Sequence, residues 1–123
     1  MITVFSKFRL RPGLDRKTAT AEVLQTVAWY RRRRGCIRKY LVFNWDEGYG
    51  YGVYLWRSRA DAEAFYAEAV PLITAEVGRA PEITYFDTPV VLDNAYGVVV
   101  VDGEVVERFD PSVSDPHGVA TST

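Results

Sequence analysis

The chain has one cysteine, Cys36, one histidine, His117, and almost no net charge. Each scarcity removes a class of protein. A lone thiol cannot build an intrachain disulfide framework, and it suits a reducing compartment. Fifteen Lys and Arg stand against 16 Asp and Glu, a formal charge of -1. That balance gives no overall pull toward nucleic acid. No apolar run approaches the ~18 residues that span a bilayer. The opening residues, Met1 to Lys7, lack a basic leader followed by an apolar stretch, so no signal peptide is expected. No Gly-rich phosphate loop, flavin or metal motif, or His/carboxylate triad is present. These absences predict a cytoplasmic protein with no metal, no cofactor, no nucleic-acid partner and no membrane attachment.

What the chain does have is aromatic mass. Its 123 residues suit one domain, and 48% of them are hydrophobic, enough for a core. Three Trp, eight Tyr and six Phe make 14% of the residues, more than a small core requires. Such an excess favours interfaces and apolar ligand pockets.

Periodicity sets the order of elements. Residues 2–10 alternate as a strand, ended by Arg11-Pro12-Gly13. A helix follows over 18–34, with a stripe of Val23, Leu24, Val27, Ala28 and Tyr30 or Arg31, and Gly35 just past its end. Residues 36–46 and 49–57 read as a hairpin. Ser58, with Asp61 three residues on, starts a second helix that buries Ala62, Phe65, Tyr66 and Ala69. Pro71 predicts a break near Val70 and a short helix ending at Gly78. A fourth strand runs over 82–87. Asp102-Gly103 between Val-rich runs signals a type I′ hairpin over 96–109. Residues 110–123 read as a flexible tail.

The expected domain is therefore 1–109, an α+β ferredoxin-like β-α-β-β-α-β chain with an antiparallel sheet and an appended hairpin. A two-residue turn at Glu47-Gly48 would pair Lys39 with Trp56 and Phe43 with Gly52. One face then carries Lys39, Leu41, Phe43, Trp45, Gly50, Gly52, Tyr54 and Trp56. The other carries Arg38, Tyr40, Val42, Asn44, Tyr51, Val53, Leu55 and Arg57. Two helices cover only one face of a four-stranded sheet. The second face is too apolar for water, which predicts a homodimer through it. The Val-rich hairpin is a further candidate contact with the partner.

At Gly35-Cys36, and at Val53-Tyr54-Leu55-Trp56-Arg57-Ser58 followed by Ala62 and Phe65, the chain resembles the dimeric α+β-barrel superfamily. Within it, the resemblance is to antibiotic-biosynthesis monooxygenase-like proteins. The run Gly52-Val53-Tyr54-Leu55 with Ala64 and Tyr66 also resembles YdhR-type monooxygenase-like proteins. The resemblance covers residues 2–92 and implies a cofactor-independent monooxygenase acting on a quinol or polyketide-like aromatic. A polyketide cyclase and a non-catalytic dimeric ligand-binding module are the alternatives.

The resemblance marks Trp56 as a pocket residue and, with Tyr66, as a catalytic candidate. In haem-degrading relatives an Asn stands at the position of Ser6 and a His at that of Tyr66. Both differ here, and His117 lies in the tail, which argues against haem chemistry. Ser6, Lys39, Phe43, Trp45, Gly50, Gly52 and Tyr54 complete the expected pocket. The glycines would leave room, and Lys39 would hold a phenolate or carboxylate. The alternative for each aromatic is packed core, with the glycines marking a twist or bulge. Arg31 to Arg34 read as a helix C-terminus, where cations complement the dipole. Cys36 reads as a structural thiol.

Overall fold

The computed structural model describes residues 1–113. They fall into two units, divided after Asp87. In unit 1, strands β1 (Ile2–Arg9), β2 (Cys36–Asn44), β3 (Tyr49–Trp56) and β4 (Glu82–Asp87) form one sheet in the order β2-β3-β1-β4. Every neighbouring pair is antiparallel. Helices α1 (Arg16–Tyr30) and α2 (Arg59–Val77) follow β1 and β3. This is the expected ferredoxin-like order.

The β2–β3 register corrects the expected turn. Lys39 lies opposite Tyr54, and Phe43 opposite Gly50, because the connection is the four-residue loop 45–48. Asn44 explains the longer loop. Its carbonyl accepts from the Gly48 N–H and its side chain from the Glu47 N–H, closing a helical turn that ends in the left-handed Gly48. The shift is two residues, so every side chain keeps its face. A bulge at Ile37 restores Cys36 opposite Trp56.

Helix α1 ends at Tyr30, four residues before the expected end, and only part of the expected stripe faces inward. Ala19 is buried and Val23 and Tyr30 are half-buried, whereas Leu24 is 64% exposed. The Arg run accordingly leaves the helix. Arg31 is the C-cap, and Arg33 makes a two-pronged ion pair with Glu68 of α2 while lying over the Trp29 and Phe65 rings. The role is structural, but it joins the α1–β2 turn to α2 rather than complementing a dipole.

Helix α2 starts as expected, with the Ser58 side chain accepting from the Asp61 N–H, and stops at Gly78 with φ 84°. The expected break at Pro71 does not occur; the helix runs through it. Pro71 removes one N–H, leaving the Ala67 carbonyl without its helical partner. Ala67 and Pro71 both lie on the exposed side, where water takes its place, while Ala69 and Ile73 hold the helix to the core. That core is Val4, Tyr54, Trp56, Ala62, Phe65, Tyr66 and Ala69.

Unit 2 is a three-stranded antiparallel sheet, β5 (Val90–Asp93), β6 (Val98–Val101) and β7 (Glu104–Arg108). The β6–β7 hairpin turns at Asp102 (φ 48°) and Gly103 (φ 85°), both left-handed as a type I′ turn demands. Strand β5 was not foreseen: only three apolar residues stand between Pro89 and Asp93. The Asp93 side chain accepts from the N–H groups of Ala95 and Tyr96 and shapes the β5–β6 loop. Of the tail expected over 110–123, Asp110 accepts from Ser112. Residues 114–123, including His117, lie outside the described residues.

Pro71→Ala should restore the missing helical hydrogen bond at an exposed site. We expect stabilisation of about 1–3 kcal/mol in urea unfolding with an unchanged far-ultraviolet dichroism spectrum.

Candidate functional site

The helix-covered face of the sheet is built on β3, where Gly50, Gly52, Tyr54 and Trp56 alternate inward and are all buried. The expected pocket put empty space beside the two glycines. In the structure that space is filled. A Cβ on Gly50 would meet the Phe8 ring at 2.5 Å and Leu10 at 3.3 Å. A Cβ on Gly52 would lie 2.6 Å from the ring of Tyr54. Gly52 thus makes room for a protein side chain: Tyr54 lies down across it.

Trp56 and Tyr66 are sealed as well. Trp56 is 0% exposed, and its indole Nε1–H donates to the Tyr66 hydroxyl at 3.2 Å. Tyr54 stacks along Trp56 and meets Tyr66 edge-on. Phe65 of α2 closes over Tyr54, Trp56 and Tyr66. Ser6 is buried opposite Gly52, nearer Tyr54 than Trp56. Burial holds the Tyr66 and Tyr54 hydroxyls far above the ordinary phenol range, so both stay protonated donors.

The reachable groups lie at the β2 side. Lys39 is half-buried, and its Nζ sits 3.0 Å from the centre of the Tyr30 ring and 5.0 Å from that of Tyr54. The Tyr54 hydroxyl reaches toward that of Tyr30 at 3.5 Å. Among the described residues, no carboxylate pairs with Lys39. Burial therefore acts on the ammonium without a counter-charge and pulls its pKa down to about 7; Cys36, just across the bulge, opposes this. Burial raises the Cys36 thiol, which favours the neutral, structural form. Phe43 and Trp45 stack at 4.8 Å further along the same face, Trp45 from the exposed loop rather than from the strand.

The nine predicted site residues thus separate into two groups. Trp56, Tyr66, Tyr54, Ser6, Gly50 and Gly52 form a packed interior, while Lys39, Phe43 and Trp45 reach its margin. Tyr30 completes that margin and was missed. It read as one more apolar residue of α1, and nothing in the spacing distinguishes a ring that packs from one that also faces a lysine. An open groove of about 560 Å³ elsewhere is lined by Arg16, Lys17, Thr20, Ala21 and Leu24 of α1, none of them a predicted site residue. Among the described residues, no cluster of His, Cys, Asp and Glu could hold a metal ion.

The glycines differ in how far their neighbours can yield. Tyr54 is gripped on all sides, whereas the end of the half-buried Phe8 ring is freer to swing. Gly52→Ala should therefore cost about 1–3 kcal/mol and Gly50→Ala distinctly less, measured by urea unfolding.

No family model matches the chain, and no curated protein matches it. Solved structures are similar in fold, three of them as follows. Rv0793 from Mycobacterium tuberculosis superposes with a TM-score of 0.54 at 23% identity, over 75% of this chain and 95% of its own. A putative antibiotic biosynthesis monooxygenase from Bordetella bronchiseptica gives 0.56 at 20%, over 74% and 97%. The NE2512 protein of unknown function from Nitrosomonas europaea gives 0.52 at 15%, over 71% and 87%. Each is matched over almost its whole length by a part of this chain about the size of unit 1. The chain accordingly carries an α+β ferredoxin-like fold that these three structures share.

Proposed function

We propose that unit 1 is a cofactor-independent monooxygenase for an acidic aromatic small molecule, a quinol or a polyketide-like phenol. The observation that carries this reading is Lys39: an amine with no carboxylate partner among the described residues, set against the Tyr30 and Tyr54 rings. The fold shared with a protein named as a monooxygenase of antibiotic biosynthesis supports the reaction class.

In this reading the neutral amine takes the phenolic proton of the substrate. The product is an ammonium–phenolate pair in a setting of low polarity, where each charge stabilises the other. The electron-rich anion then reduces oxygen: one electron passes to O₂, the two radicals combine at carbon, and the peroxide loses water to leave a quinone. Lys39 holds the charge as it develops. Trp56 and Tyr66 act through Tyr54, whose ring they fix beside the amine; they are positioning residues here. Phe43 and Trp45 supply aromatic surface for the substrate.

A naphthoquinol or hydroxyanthrone in air-saturated buffer should show enzyme-dependent oxygen uptake with matching quinone formation. Lys39→Met should lower kcat/KM about 10²-fold. The sign with pH follows from the base: the rate should rise as pH increases through about 7, where Lys39 loses its proton, and that limb should vanish in Lys39→Met. Product formed without oxygen uptake would support the cyclase instead. Binding without turnover would support a ligand-binding module, a reading favoured by the closure around Trp56.

The same reading includes a homodimer. The uncovered sheet face exposes Phe5, Tyr40, Val42 and Phe86, with Tyr40 54% exposed. Such a patch is expensive to leave in water and matches the self-complementary surface of a two-fold dimer. Light scattering should give twice the chain mass. Tyr40→Lys with Val42→Lys, which places unpaired charge in that interface, should give once the chain mass with the dichroism spectrum retained.

A further inference from the structure

We propose that Lys39 is also a covalent site, forming an imine with aromatic aldehydes or ketones. The proposal rests on the reading of Lys39 as the reacting amine of this margin, and not on oxygen chemistry. Three features of the geometry support it. The amine has no ion pair among the described residues to hold it protonated or to screen it. It is half-buried, so part of the side chain is withdrawn from water while the residue as a whole is not sealed. Finally, it is set on aromatic rings, with Nζ 3.0 Å from the centre of Tyr30, so a flat aryl group delivered to it finds matching surfaces.

The surroundings suit both steps of the reaction. The Lys39 nitrogen attacks the carbonyl carbon; the C–N bond forms as the C=O π pair moves to oxygen. A proton passes from nitrogen to that oxygen, giving the carbinolamine. Its hydroxyl then leaves as water on protonation, the nitrogen lone pair closes the C=N bond, and the last N–H proton returns to the donor. Amine and carbonyl give imine and water, with no oxidant or reductant consumed. The Tyr30 hydroxyl, backed by that of the buried Tyr54 at 3.5 Å, is the donor at hand, acting through water. Burial keeps both phenols protonated, and it favours the free amine, the nucleophilic form of lysine.

Peptide mapping makes the test tractable, because the amines to be told apart are Lys7, Lys17, Lys39 and the α-amine of Met1. The full chain is incubated with 2-hydroxy-1-naphthaldehyde and sodium cyanoborohydride under argon near neutral pH. Intact mass and peptide mapping then count and place the reduced adducts. We expect one adduct, on Lys39, forming about tenfold faster than at Lys7 or Lys17. Butanal should label Lys39 more slowly than the naphthaldehyde does. Lys39→Arg should abolish the fast adduct, and the lysine-resolved map of the unsubstituted chain decides the matter even if that variant misfolds. Equal labelling of all three lysines, or none at Lys39, would overturn the proposal. Because trapping is read by mass without oxygen, an adduct with no oxygen uptake would sink only the monooxygenase reading. Oxygen uptake with no adduct would sink only this one.

Discussion

Phe65 is the contact on which unit 1 depends. Its ring lies within 5–6.5 Å of the rings of Trp29 and Tyr30 on α1, Tyr54 and Trp56 on β3, and Tyr66 beside it on α2. A helix is fixed on a sheet only by what it buries. Here the far end of α1 is held by this ring, by the Arg33–Glu68 pair and by the contacts of Tyr30 with Tyr54 and Lys39. The placement of Tyr30, and through it the roof over Lys39, follows in part from a residue that was expected only as core.

The sheet and its strand order were legible because strict alternation over β1 and β3 leaves little choice of partner or face. What escaped the sequence were features decided by tertiary contacts. Pro71 is a strong local breaker, yet Ala69 and Ile73 bury enough to carry the helix past it. Leu24 and Val27 are apolar but face outward, since the ring of Tyr30 sets the rotation of α1 and no propensity encodes that. Strand β5 is too short to announce itself; it exists because Val98–Val101 offers it an edge.

The site was legible in part and for a physical reason. Residue type marked Trp56, Tyr66 and Tyr54 as special, but aromatic residues serve packing and binding alike. Glycine spacing indicated missing volume on the inner face without saying whose atoms would fill it. Lys39 stood out differently, as a cation on an otherwise apolar inward face. Burying charge is costly without a partner, so an inward lysine demands an explanation in a way that an inward tryptophan does not.

The two-residue displacement of the β2–β3 pairing has a consequence for how this sheet tolerates change. Side-chain direction depends only on whether a position is odd or even relative to its partner. The hairpin therefore obeys a parity rule: a pair of residues added to or lost from the tip slides the ladder and spares both faces. A single-residue slip exchanges inside for outside as far as the next bulge, sending Lys39 to the open face and Tyr40 to the core. Even changes at the loop 45–48 thus redirect no side chain, and an odd one needs a bulge such as that at Ile37 to absorb it.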